Sequence, residues 1–222
     1  MRKLLLVILP VLGALALPGG ALAGALTLHP SGFGEDSYSA WKAHEGLADG
    51  ASEQDEALYF QKMTSTLTFA AGVAVIEGVE GMPVSALGEL GFWWREDGHC
   101  GAGAPRFNLR LENVPGTFFI GCQGMLPFAT QTDNNGFLWE QRFFPAGLLP
   151  AGTVASLSIV YDEGEEFAPG YVFLDRIRVA GHTWNSAADN ANDQTITAEP
   201  TGEAFLEALL GEDLAAALSP PS

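Results

Sequence analysis

Residues 154–181 read VASLSIVYDEGEEFAPGYVFLDRIRVAG, and the fold class turns on them. Two runs, 155–161 and 171–179, alternate apolar with other residues. They flank a connection holding Asp162, Glu163, Glu165, Glu166, Pro169 and Gly170. Alternation interrupted by a polar, Gly/Pro-bearing segment predicts an antiparallel strand pair. In the second run Tyr171, Phe173, Ile177 and Val179 share one parity and so one face of a strand. Asp175 shares that parity. A carboxylate on a face that faces a core needs a partner, because an uncompensated buried charge is very costly. The partner is a cation, an arginine (Arg95, Arg106 or Arg110), or a set of loop amides.

Working outward, the same strand signature recurs. Residues 25–29 alternate weakly, and 30–39 follow as a Gly- and acid-bearing loop in which Glu35 and Asp36 are adjacent. Trp41 opens a short strand, 47–56 is a polar loop, and 57–63 alternates Leu58 and Phe60 against Tyr59 and Gln61. Residues 66–77 are β-branched and apolar, split by Gly72. In 87–96, Leu90, Phe92 and Trp94 fall on one face; Glu89, Trp93 and Arg95 fall on the other. Strands follow at 107–111, 117–122 and 137–144, the last two separated by TDNNG (132–136), whose Asn-Gly favours a tight turn. About ten short strands without helical periods between them predict an all-β fold, an antiparallel two-sheet jelly-roll-like sandwich.

The ends differ in kind. Residues 1–23 have the form of an export signal: Arg2 and Lys3, an apolar run, then Ala21-Leu22-Ala23. Sandwich residues are expected over 24–184. From Asn185 to about residue 200 the composition turns to Asn, Asp and Ala and reads as a polar linker. Residues 201–222 hold one C-terminal α-helix and a tail, with Phe205, Leu206, Leu209, Leu210, Leu214 and Leu218 at helical spacing. That helix either packs back on the sandwich or docks another chain in an extracellular assembly.

Charge bounds the partners. The chain has 10 basic and 27 acidic residues, a formal net charge of −17. Without residues 1–23, eight basic residues remain against the same 27 acids, a net −19. Such a chain is repelled by nucleic acid and anionic lipid and attracts cations. No stretch beyond the signal has the length of a membrane span, so the mature chain is expected outside the cytoplasm, secreted. Its two cysteines, Cys100 and Cys122, favour one disulfide there. Closing that loop stabilises by about 3 kcal/mol in the chain-entropy picture. His99 beside Cys100 permits a metal reading, but a second ligand at zinc-finger spacing is missing.

The stretch 170–181, with its apolar, apolar, Leu174-Asp175, Ile177, Val179 core, resembles the closing strand of jelly-roll carbohydrate-binding and galactose-binding-like modules. Residues 32–41 (GFGEDSYSAW) loosely resemble their N-terminal opening. The resemblance implies a structural calcium held by Asp175 with Glu35 or Asp36, and calcium suits oxygen ligands. It also implies a glycan ligand met by aromatic faces and a few polar groups. Trp93 is the leading candidate, with Arg95 and Glu89 on its parity, followed by Trp139 and Trp184. Enzymatic chemistry has less support. Glycoside hydrolysis needs two carboxylates across a cleft, and Glu89 with Glu140 is the pair adjacent strands would bring together. His29, His44, His99 and His182 are scattered, and no nucleophile or metal-protease motif occurs. The expected function is a secreted, non-catalytic binding module.

Overall fold

The computed structural model describes residues 25–50, 54–164 and 169–190. Among them are twelve strands in two antiparallel sheets. The smaller sheet runs β1 (Thr27–Phe33), β4 (Ala71–Glu77), β10 (Val154–Tyr161), β6 (Arg106–Leu111) and β7 (Phe118–Gly121). The larger runs β2 (Ser37–Lys42), β3 (Ala57–Lys62), β11 (Tyr171–Val179), β5 (Leu90–Arg95), β9 (Leu138–Phe144) and β8 (Leu126–Thr132), with β12 (His182–Trp184) also pairing β11. This is the two-sheet antiparallel sandwich the alternation predicts. The expected C-terminal helix at 201–218 and the export signal lie outside the described residues. Among the described residues no helix is long and apolar enough to cross a membrane.

The expected pairing of the two strands in 154–181 does not occur. β10 lies between β4 and β6, whereas β11 lies between β3 and β5 in the opposite sheet. The two strands therefore stand in opposite sheets, and the nine residues between them join one sheet to the other. Nine residues are more than a tight hairpin uses and enough to cross the roughly 10 Å between sheets. Each strand is interior to its sheet, so both are buried along most of their length. Leu157, Ile159 and Tyr161 of β10 and Val172 and Leu174 of β11 meet in the shared core instead of side by side. Tyr161 donates its hydroxyl to Pro169 O at 2.6 Å, so the end of β10 meets the residue that leads into β11. Burial pushes this phenol's pKa up, with the Glu163 charge adding to it.

The parity reading of β11 also fails, at one residue. Tyr171, Phe173 and Asp175 face outward from the sandwich, but Ile177 and Val179 join Val172 and Leu174 in the core. The register against β5 shifts between Asp175 and Arg178, and Arg176 has φ +46°. One residue in the left-handed region makes a β-bulge, and a bulge swaps which parity faces inward.

Near the N-terminus, the loop expected at 30–39 is mostly strand. β1 continues to Phe33 and β2 begins at Ser37, leaving a tight turn with Gly34 at φ +83° and Asp36 at φ +48°. Pro30 is tolerated because β1 is an edge strand. Gly32 is required because a Cβ there would sit 2.5 Å from the Tyr38 backbone. Ser39 stitches the two sheets, accepting from Ser31 N–H at 2.9 Å and donating to Val73 O at 2.5 Å. Strand β8, not anticipated from LPFATQT, is an exposed edge: Pro127 breaks its pattern and its side chains are mostly solvated. Cys100 and Cys122 form the expected disulfide, with Cα atoms 5.3 Å apart. At the other end, Asn190 donates to and accepts from the Leu28 backbone and accepts from Trp184 Nε1, so residues 185–190 stay tied to the sandwich.

Candidate functional site on the outer face of the larger sheet

Outward-facing residues of five neighbouring strands form one aromatic face. Register aligns them across the sheet. Tyr38 lies beside Gln61, Ala40 beside Tyr59, Tyr59 beside Phe173, Asp175 beside Trp93, and Arg95 beside Trp139. Half of this face is covered. Residues 43–50 fold over it, and Leu47 packs fully buried on Ala57, Trp93, Trp139 and Phe173. Gly46 is needed here, since a Cβ would meet Glu56 O at 2.1 Å and Asp175 Oδ2 at 3.0 Å. The segment is held by Gly46 N–H to Asp55 O (2.8 Å) and by Asn135 Nδ2–H to His44 O (2.7 Å).

Asp175 anchors this cover. It is completely buried, and its Oδ2 accepts from Leu47 N–H at 2.7 Å while Oδ1 accepts from Arg176 N–H at 2.5 Å. Burial pushes its pKa up from 3.8 to about 8. The two amides and the Arg176 charge oppose the rise, and the nearby Asp49 carboxylate reinforces it. Its two oxygens thus meet one loop amide, from Leu47, and one amide of its own strand, from Arg176. Arg95 is spent on Asp97 and Glu45, and Arg106 on Asp162. Glu35 and Asp36 sit in the turn before Ser37, which pairs Lys62. Asp175 instead follows Leu174, which pairs Leu58, near the far end of β2 and β3. Asp175 and the turn that holds Glu35 and Asp36 thus lie at opposite ends of β2 and β3. Among the described residues no group of three or more His, Cys, Asp or Glu is arranged to hold a metal ion.

The residues expected to meet a ligand divide in two. Trp93, Arg95 and Trp139 come together, but as packed material: they are 9 %, 4 % and 0 % exposed. Arg95 stacks its guanidinium 3.7 Å from the Phe173 ring centroid and 4.2 Å from that of Phe137, and it pairs with Asp97 and Glu45, each at 2.7 Å. Trp139 donates to Asp133 Oδ2 at 2.8 Å; Asp133 also caps the TDNNG turn through the amides of Asn135 and Phe137. Glu89 lies apart, 3.4 Å from Arg178, though it shares with Trp93, Arg176 and Arg178 a shallow cleft of about 170 Å³. Glu89 and Glu140 do not face each other. Glu140 is level with Trp94 on the opposite parity and pairs with Arg142. The hydrolytic carboxylate pair is therefore not assembled.

The uncovered half of the face is a second cleft, of about 480 Å³, lined by Tyr38, Lys42, Glu45, Tyr59, Tyr171 and the edge of Arg95. Its tyrosines form a bent row: Tyr38 and Tyr171 are both level with Gln61 of β3, and Tyr59 sits two residues along β3 between them. Tyr38 and Tyr59 have ring centroids 5.8 Å apart, and Tyr59 and Tyr171 are 6.2 Å apart with planes 29° from parallel. Burial and the neighbouring phenols push the Tyr59 pKa up to about 12; burial and Asp97 push Tyr171 up. Both rings are thus neutral at physiological pH. Tyr59 donates to Gln61 Oε1 at 3.0 Å and Tyr171 to Asp97 Oδ2 at 3.3 Å. Such oriented rings offer apolar faces with polar rims. The alternation marks Tyr59 and Tyr171 as strand residues, but Tyr38 falls in the stretch that reads as loop, so the row is invisible without the register.

Neither protein-family models nor curated proteins contain a match to this chain.

Proposed function

We propose that this chain is a non-catalytic β-sandwich binding module that takes an extended glycan across Tyr38, Tyr59 and Tyr171. The row of three rings on an open sheet face carries this reading. Sugar rings present C–H faces that pack on aromatic π-systems, and their hydroxyls need the few polar groups that rim such a site. Glu45 and Gln61 supply acceptors and Lys42 supplies donors. The stacking surface is thus the tyrosine row, with Trp93 and Trp139 as packing beneath the adjoining cover. An export signal at 1–23 together with the Cys100–Cys122 disulfide supports a site of action in an oxidising, extracytoplasmic compartment.

Titration calorimetry against a panel of oligosaccharides tests the proposal with Tyr38→Ala and Tyr171→Ala. Tyr38 is 37 % exposed, so its removal spares the core. Each ring is expected to contribute about 1 kcal/mol, roughly a fivefold loss of affinity, with an unchanged melting temperature for Tyr38→Ala. Binding that persists undiminished in the double variant rejects the tyrosine row as the site.

A further inference from the structure

We infer that the cleft selects sugars bearing a carboxylate, and that Lys42 reads the charge; this rests on the carbohydrate reading above. The starting point is an anomaly of pairing. Acidic residues outnumber basic ones 27 to 10, so carboxylate partners are abundant. Arg95 takes Glu45 and Asp97, Arg106 takes Asp162, Arg142 takes Glu140, Arg176 takes Asp49, and Arg178 takes Glu89. Lys42 makes no ion pair among the described residues. Glu45, three residues on, turns to Arg95 instead. Arg110 is likewise without an ion pair, but it lies on the smaller sheet, away from the aromatic row.

Lys42 is also placed where a ligand would need it. It ends β2 on the parity of Tyr38, half-buried, with Nζ 5.5 Å from the Tyr38 ring centroid and 5.7 Å from that of Tyr59. Ring faces hold the ammonium electrostatically but accept none of its three N–H donors in a full hydrogen bond. A sugar lying on Tyr59 brings its ring substituent to those donors, and a carboxylate makes the stronger, charge-assisted bond there. The other charges in the cleft orient the ligand. Arg95 is neutralised by Glu45 and Asp97, and Glu45 accepts hydroxyl hydrogens while repelling a second acid group. One carboxylate per bound segment, directed at the β2 end of the row, satisfies both. The chain's overall negative charge acts at longer range and is screened beyond about 8 Å at physiological salt.

The test uses the full-length chain with a galacturonate oligomer and its methyl ester, which has the same rings without the charge. The acid is expected to bind about 10-fold tighter than the ester at low salt, with the gap narrowing as sodium chloride is added. Lys42→Gln is expected to bring the acid-to-ester ratio to about one. An ester that binds as tightly as the acid, or a Lys42→Gln variant that keeps the preference, overturns the inference while neutral binding leaves the parent reading standing. Failure of acid, ester and all neutral oligosaccharides to bind overturns both.

Discussion

Replacing Asp175 by Asn is expected to invert the order of stability between low and high pH. In the folded chain this carboxyl titrates near 8, against 3.8 for an ordinary aspartate. Below about pH 4 both folded and unfolded chains hold the proton, and the folded state keeps its full stability. Between about pH 4 and 8 the unfolded chain releases the proton while the folded chain retains it. Stability therefore falls as pH rises, and levels off once the folded group ionises. A rise of that size corresponds to about 6 kcal/mol over the whole window. Asn does not titrate, but its NH₂ must face one of the two amides that Asp175 accepts, from Leu47 or Arg176. Losing that bond costs about 2 kcal/mol. The wild type is thus the more stable by about 2 kcal/mol near pH 4, and the variant by about 4 kcal/mol near pH 9. The curves cross at about pH 5 to 6. Urea denaturation followed by tryptophan fluorescence at pH steps from 4 to 9 measures both. Taking the difference between the two proteins cancels the titration of every other carboxylate. A difference that stays constant with pH refutes the burial argument.

Two further outcomes follow from the same face. Arg95→Leu removes the stack on Phe173 and Phe137 and strands Glu45 and Asp97, and is expected to destabilise by about 3 kcal/mol in chemical denaturation. A loss below about 0.5 kcal/mol would show that the pair is no more than a surface contact. Stripping divalent cations with EDTA and restoring calcium is expected to leave the melting midpoint in place, because both Asp175 oxygens already accept amide hydrogens and Glu35 and Asp36 stand elsewhere. A rise on calcium addition would reinstate the ion.

Asp175 shows what the amino-acid order reveals and where it stops. Its burial is expected from the parity shared with Ile177, but it arises another way: the strand turns over at Arg176, and Asp175 is covered on the outer face by the segment that holds Leu47. Which face it occupies does not follow, because the bulge at Arg176 uses an ordinary residue in a left-handed conformation and leaves no Gly or Asn to announce it. The strands at 155–161 and 171–179 are legible from alternation; their assignment to different sheets is not, since alternation is blind to pairing. Cys100 and Cys122 meet as their count suggests. Trp93, Arg95 and Trp139 share parity and do converge, yet the cover that buries them comes from residues 43–50, whose polar composition hides the single plug at Leu47. Tyr38 was beyond reach for a related reason: Pro30, Gly32 and Gly34 mimic a loop where an edge strand and a tight turn stand.

The bulge at Arg176 has a consequence for how the protein tolerates change. Upstream of it, β11 shows Tyr171 and Phe173 to the aromatic face; downstream, Ile177 and Val179 seal the interior. With strict alternation, Ile177 and Val179 would have faced outward with Tyr171 and Phe173, and Arg176 and Arg178 would have pointed into the core. The switch instead keeps Arg176 and Arg178 out of the core, where they pair with Asp49 and Glu89. A library that varies Tyr38, Lys42, Tyr59 and Tyr171 while holding the Asp175–Val179 segment constant is therefore a natural starting point for redirecting what this scaffold binds.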